Sequence, residues 1–324
     1  MNFFKRPYVY AVIFTLILLS TTSYVLLDTF VIEHKIQSVE NHQDTGNTEN
    51  SGTQNAGTPQ DSETSQNSET QNAGIPQQAE ITENTYTDEN ISITIQTLRE
   101  YDTTIYAADI TLSDPALIKT AMANDSFGTN ITEKTSSMAA RVNAILAVNG
   151  DYYGANGKGY VIKNGILYRD SVRSDGQYAD LALYADGSFS FITETDVSAQ
   201  TLLENGVTQL FAFGPVLIDN YTVTVSANEE VGRAKASNPR TAIGSIDDGH
   251  YVLVVSDGRT SESEGLSLYE LAGIMEAFGC KMAYNLDGGG SSTMYFNGEV
   301  INNPTTNGRK ILEREVSDIV YIGY

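Results

Sequence analysis

Four dipeptides that reverse a chain punctuate this sequence: Asn164-Gly165, Asp186-Gly187, Asp248-Gly249 and Asn297-Gly298. Each stands between two runs that alternate apolar and polar residues. Such dipeptides supply the positive φ angles of tight two-residue turns, whose twist matches that of paired strands. Strands joined this way run antiparallel. The segments "GYVIKNGILY", "LALYADGSFSFI", "TAIGSIDDGHYVLVVSD" and "STMYFNGEVI" therefore read as hairpins. Further strand-like runs are "ISITIQTL", "TIYAADITL", "AILAVNG", "QLFAFGPVLI", "CKMAYNL" and "DIVYIGY". Helical periodicity is clearest in "SLYELAGIMEAFG", where Leu268, Leu271, Ala272, Met275 and Phe278 share a face and Gly279 provides the stop. "ITEKTSSMAARVNAI" and "VSAQTLLENG" are further helix candidates. Many strands and few helices predict an α+β domain around a mixed or antiparallel sheet, with a few packed helices.

The 324 residues divide into three parts by composition. Residues 1–36 carry an apolar run, free of charge from Pro7 to Leu27, preceded by Lys5 and Arg6. That length crosses a hydrocarbon core of ~30 Å as a helix, and the flanking cations place the N-terminus inside. The expectation is a single-pass signal anchor at the cell membrane with the C-terminal domain extracytoplasmic. A cleaved signal peptide is the alternative, leaving a secreted domain. Residues 37–84 are rich in Asn, Gln, Ser and Thr, repeat "QNAGTPQ" as "QNAGIPQ", and contain no Lys or Arg. Such a segment lacks the apolar surface to offset its ordering entropy. It is expected to be a disordered tether, spanning roughly 35–40 Å as a coil. Residues 85–324 are the expected globular domain.

The charge and the scarce residues narrow the chemistry. Lys plus Arg is 19 against 41 Asp plus Glu, a net charge of −22 that argues against a nucleic-acid partner. The one cysteine, Cys280, forms no intrachain disulfide and reads as a small buried hydrophobe. Of the three histidines, His34 and His42 lie outside the globular part and His250 sits at a hairpin turn. A Ser-His-Asp triad or a His/Cys zinc site is thereby disfavoured. Carboxylates, amides, hydroxyls and arginine remain.

Four polar, glycine-bearing stretches lie at strand ends. "AVNGDYYG" offers Asn149, Gly150, Asp151 and Tyr152. "SNPRTAIG" offers Asn238, Arg240 and Thr241. "VVSDGRT" offers Asp257, though "SDGR" is a common turn. "NLDGGGSST" places Asp287 before Gly288, Gly289 and Gly290, followed by Ser291, Ser292 and Thr293. Three glycines pack nothing, but they let backbone N–H groups converge and something approach without a Cβ in the way. That composition suits a phosphate, although the lysine of a P-loop is missing.

With these stretches in this order, residues 125–324 resemble the phosphodiester glycosidases, whose bacterial members are often labelled exopolysaccharide-biosynthesis proteins. "FGPVLI", the long span around "LDGGGSST" and the terminal "EREVSDIVYIGY" also carry the resemblance. It implies hydrolysis of a sugar-1-phosphodiester at the sugar C–O bond, on an extracytoplasmic glycan or glycopolymer. It implies Asp287 or Asp151 as nucleophile or base, and Arg240 with the Gly288–Gly290 amides and the three hydroxyls as phosphate holders. Asn149, Asn238 and Tyr152 would contact the sugar. Two rival readings stand beside it. One is a metal-dependent phosphodiesterase whose Asp151, Asp257 and Asp287 bind Ca or Mg through oxygen. The other is a non-catalytic module for phosphate-containing wall or capsule polymers.

Overall fold

The computed structural model describes residues 7–35, 79–173, 179–228 and 237–324. Most of the predicted tether lies outside them. The four turn dipeptides each connect a hairpin. Val161–Lys163 pairs with Ile166–Arg169, Asp180–Tyr184 with Phe189–Ile192, Arg240–Asp247 with His250–Ser256, and Met294–Phe296 with Glu299–Val300. At Asn164-Gly165 and Asn297-Gly298 both residues have positive φ, as the mirror-image tight turn requires.

Two sheets carry the fold. In the larger, of nine strands, Arg240–Asp247 lies at the centre between His250–Ser256 and Met282–Asn285. Thr103–Leu112 and Ile91–Glu100 continue it on one side, and Val216–Asp219 on the other. Its edge begins at Glu80–Ile81, ahead of the boundary expected at residue 85. In the smaller, of five strands, Leu146–Asn149 sits between Met294–Phe296 and Asp318–Ile322. All strand pairings among the described residues are antiparallel.

Strand periodicity decides how these layers stack. Along the central strand Ala242 and Ile243 point to opposite faces, and both are buried. Ile243, with Leu253, Tyr284 and Leu286, meets Val148, Met294, Phe296 and Val320 of the smaller sheet. Ala242, with Val252, Val254 and Cys280, packs against Leu268, Leu271, Ala272 and Met275 of the helix Leu268–Ala277. On the outer face of the smaller sheet, Met138 and Ala139 of the helix Thr135–Arg141 cover Ala147, Ile319 and Tyr321. The order is helix, sheet, sheet, helix. The third predicted helix forms over Ala199–Glu204, capped by Ser198. Cys280 is buried, which pushes its thiol up to about 12, well away from reactive thiolate.

His250 is not simply solvated. Its Nε2 lies 2.8 Å from Asp109 Oδ1 on the adjoining strand. The N-terminal apolar segment forms the helix Pro7–Phe30, of which Ala11–Thr29 is long and apolar enough to cross a membrane and is nowhere buried. A signal sequence meets the same criterion.

One polar cluster is buried at the common end of the two sheets. Lys163, 1% exposed, reaches Asp318 Oδ2 at 2.9 Å and Asp151 Oδ2 at 3.4 Å, and its ammonium lies 4.4 Å from the Phe211 ring centroid. Gly150 passes so close to the Asp318 carboxylate that a Cβ there would collide with it. Removing one member of a buried ion cluster leaves the others charged in a dry site. Lys163→Met is therefore expected to lower unfolding free energy by about 3–5 kcal/mol in urea denaturation. On the helix Leu268–Ala277, Ser267 and Glu270 form a reciprocal capping box. Ser267→Ala should cost only about 1 kcal/mol, read as a Tm lower by roughly 2–4 °C.

Candidate active site

The strands deliver four chain segments to one end of the molecule. Met282–Asn285 runs out into Leu286 and Asp287, Leu146–Asn149 into Gly150 and Asp151, and His250–Ser256 into Asp257, while Arg240–Asp247 begins there. Register explains the convergence, because Ala242 pairs with Asn285 and Arg240 with Ser256. The smaller sheet is then tied to the larger. Asn149 Nδ2 donates to the Asp287 carbonyl at 2.5 Å, and its Oδ1 accepts from Thr241 Oγ1 at 2.8 Å and from the Thr293 N–H at 3.3 Å. The Asp287 N–H donates to the Gly150 carbonyl at 3.1 Å. Asn149 and Thr241, expected to touch substrate, are fully buried and spend their polar atoms inside the protein. They are struts between the sheets.

Asp287 is the carboxylate at the centre. It is 8% exposed. Its Oδ2 accepts from Ser291 Oγ at 2.5 Å and from Arg314 Nη2 at 2.8 Å. Burial raises its pKa above the usual carboxylate range, and Arg314 and the Ser291 hydroxyl oppose that rise. Arg314 also donates through Nε to Ser291 Oγ at 2.9 Å.

Two further arginines border the same loop. Arg240 is 4% exposed, is held by Nε donating to the Leu266 carbonyl at 2.8 Å, and runs beside Gly288. Arg259 has a positive φ of 63°, donates through Nε and Nη2 to Asn238 Oδ1 at 3.2 and 2.9 Å, and through Nη1 to the Thr306 carbonyl at 2.6 Å. Burial first, then the charges of Arg314 and Arg240, push the Arg259 guanidinium below its ordinary pKa. All three border the loop that begins at Asp287: Arg240 beside Gly288, Arg259 beside Gly289, and Arg314 on Asp287 itself.

The three glycines answer to the protein's own groups. A Cβ on Gly289, whose φ is 63°, would stand 2.7 Å from Arg259 Nη2, and one on Gly290 would stand 2.5 Å from Thr306 Oγ1. The expected cradle of N–H groups is not formed as such. The Gly289 N–H donates to the Pro239 carbonyl at 2.8 Å, and the Ser291 and Ser292 N–H groups close a 3₁₀ turn over Gly289–Ser291. Ser292 and Thr293 are fully buried, with hydroxyls that have no partner. Only Ser291 of the three hydroxyl residues joins the charged centre.

The other expected aspartates have different employment. Asp151 is 3% exposed and is held by Lys163, by the Ala212 N–H at 2.9 Å and by the Tyr153 N–H at 3.2 Å. Asp257 accepts from Asn302 Nδ2, the Asn303 N–H and Asn303 Nδ2. It thereby pins the loop whose Thr306 receives Arg259. Among the described residues no group of three His, Cys, Asp or Glu side chains is placed to hold a metal ion. The shared cation site expected of Asp151, Asp257 and Asp287 is not assembled, because each carboxylate has its own donors. Asn238 positions Arg259. Tyr152, in the left-handed region with φ 69°, is 45% exposed. Arg314 lies in coil before the last strand, within the terminal "EREVSDIVYIGY", where its sequence position gives no sign that it meets Asp287.

Comparison with known proteins gives the family and the fold. The family model for phosphodiester glycosidases matches residues 142–323. An uncharacterised prophage-derived protein, YomE of Bacillus subtilis, is 32% identical over 201 residues, covering 61% of this chain and 31% of that protein. The human N-acetylglucosamine-1-phosphodiester alpha-N-acetylglucosaminidase is 29% identical over 193 residues, covering 55% of this chain and 37% of that enzyme. The chain thus spans about a third of the length of these curated relatives. The catalytic domain of the zebrafish enzyme, solved in a form auto-inhibited by its pro-peptide, shares the fold with a TM-score of 0.56 at 22% identity, covering 72% of this chain and 83% of that one. A hypothetical protein from Synechocystis does so with a TM-score of 0.54 at 15% identity, covering 72% and 62%. With its matched region reaching from Val142 to Gly323 through every segment of the site, the chain belongs to the phosphodiester glycosidase family, a family of glycosidase-type hydrolases.

Proposed function

We propose that this protein hydrolyses a sugar-1-phosphodiester at the anomeric carbon, releasing the sugar and a phosphate monoester. The observation that carries this reading is that Arg240, Arg259 and Arg314 border the Asp287–Gly290 loop in a chain of net charge −22. An acidic protein gathers three guanidiniums in one place to hold an anion. Planar N–H forks match a phosphate's oxygens and stabilise the charge that develops as the C–O bond breaks. The departing phosphate ester is a weaker base than a sugar alkoxide, so a site without histidine suffices. Asp287 supplies the carboxylate at the anomeric centre. Ser291 and Arg314 hold that carboxylate and fix its direction. Asp151 belongs beneath the site as an ion-pair support, while Asp257 and Asn238 set the position of Arg259.

The substrate class we favour is an extracytoplasmic glycan or glycopolymer. The helix Ala11–Thr29, preceded by Lys5 and Arg6, would anchor the chain in the cell membrane, with residues 37–84 as a spacer and the domain outside. Cleavage of that helix would release the same domain.

The test is product identity with a uridine-diphosphate sugar and a methyl sugar-1-phosphodiester. Free sugar is expected from both, with uridine diphosphate as the co-product of the first and methyl phosphate, a phosphate monoester, of the second. Sugar-1-phosphate as the product would mean phosphodiesterase chemistry, and tight binding without turnover would mean a binding module. Asp287→Asn should lower kcat about 10²–10⁴-fold. Arg314→Ala should lower kcat/KM roughly 10- to 100-fold.

The pH profile gives a sharper check. Activity that needs ionised Asp287 must fall as pH drops through its raised pKa, so the acid limb of kcat/KM should lie above the ordinary carboxylate range. Arg314 holds that pKa down. Arg314→Ala should therefore shift the acid limb to higher pH; an unmoved limb would assign it to another group.

A further inference from the structure

A cavity of about 570 Å³ opens between the edges of the two sheets, apart from the arginine-lined centre. Its volume is in the range of small-ligand sites, ~300–1,000 Å³. Tyr106 and Ile95 from the larger sheet and Phe296 and Ile301 by the smaller one make its apolar part. Glu83, Asn84, Thr97 and Glu299 are its exposed polar groups. None of its lining residues is Lys, Arg or His.

The cavity adjoins the charged centre through two short links. Tyr106 lies close enough to Asp257 for that carboxylate, after burial, to help raise the phenol to about 12. Ile301 is followed by Asn302 and Asn303, both of which donate to Asp257. Asn302 also donates to the Ser292 carbonyl at 3.0 Å and accepts from the Met294 N–H at 2.8 Å. Asp257 thus joins the loop after Ile301 to the strand end that leads to Arg259.

We infer that this cavity is a second binding site, for a neutral sugar unit of an extended substrate. The half-buried Tyr106 ring is suited to the apolar face of a pyranose, and the amide, hydroxyl and carboxylate groups of the lining are suited to its hydroxyls. Two carboxylates and no cation repel a phosphate, so the charged part of the substrate and its neutral continuation are sorted between the two spaces. The length of substrate covered then exceeds one sugar-1-phosphate. The assignment to a continuation of substrate rests on the phosphodiester-glycosidase reading; the binding of sugar in the cavity does not.

The experiment has two arms on the full chain. In the first, N-acetylglucosamine and glucose oligosaccharides of one to four units are titrated while amide and tyrosine ring NMR signals are followed. Saturable shifts centred on Tyr106, Thr97 and Glu299, lost in Thr97→Trp, which fills the cavity from an exposed strand position, are expected. In the second, kcat/KM is compared for a uridine-diphosphate sugar and for a sugar-1-phosphodiester extended by a neutral oligosaccharide. Thr97→Trp should raise KM for the extended substrate about tenfold and leave the short one unchanged. A circular dichroism melt equal to wild type establishes that the variant folds, and Glu299→Gln, which keeps the cavity's shape, should weaken the first-arm binding. No saturable binding of any oligosaccharide by the wild type overturns the inference. Absence of hydrolysis by the wild type would instead overturn the proposed reaction, with the first arm still deciding the cavity.

Discussion

The site depends on one set of hydrogen bonds, the tie that Asn149 makes between two separate sheets. Sheets that pack face to face are free to slide on an apolar interface, since hydrophobic contact has no direction. Hydrogen bonds do have direction. The Asn149 amide, gripping the Asp287 carbonyl and the Thr241 hydroxyl, fixes the loop of one sheet against the other. The Gly150 carbonyl accepts the Asp287 N–H beside it. The Lys163–Asp151–Asp318 cluster backs this junction from below, and Gly150 is glycine because the Asp318 carboxylate leaves no room for a side chain.

On that rigid junction an acidic protein builds a cationic patch. Each of the three arginines reaches a neutral acceptor, Leu266 for Arg240, Asn238 and Thr306 for Arg259 and Ser291 for Arg314, and Arg314 also pairs with Asp287. Such anchoring fixes the direction of each guanidinium fork. This is a different solution from the backbone nest of a phosphate loop. The glycines of "LDGGGSST" are the complement of that solution, since they clear space for Arg259 and Thr306.

Turn chemistry and periodicity carried most of the fold to the surface of the sequence. Asn164-Gly165 and Asn297-Gly298 can hardly be anything but tight turns, because few other pairs accept positive φ twice. The face of Leu268, Leu271, Ala272 and Met275, ending at Gly279, announced a helix, and its Ser267–Glu270 capping box showed in the structure. Asp287 was legible in the same way, as a carboxylate beside glycines that serve no local packing. The employment of Asn149, Thr241, Asp151 and Asp257 was not. A polar residue at a strand end looks alike whether it faces substrate or holds two layers together. Only burial and partners separate those cases, and both depend on segments distant in the chain. Arg314 lay hidden for the same reason, in coil 27 positions beyond the carboxylate it holds.

By itself the sequence determined the antiparallel strands, the helices, the N-terminal apolar span, the family, and the scarcity of histidine and cysteine. These are properties of neighbours along the chain, or of residue types present or missing. The tertiary structure decided which polar groups are machinery and which are scaffold, which glycines face protein rather than ligand, and which arginines meet. Those outcomes come from contacts between segments distant in the chain, such as Asp151 with Asp318 at a separation of 167. No local pattern encodes such a contact, because its energy exists only once both sheets are in place.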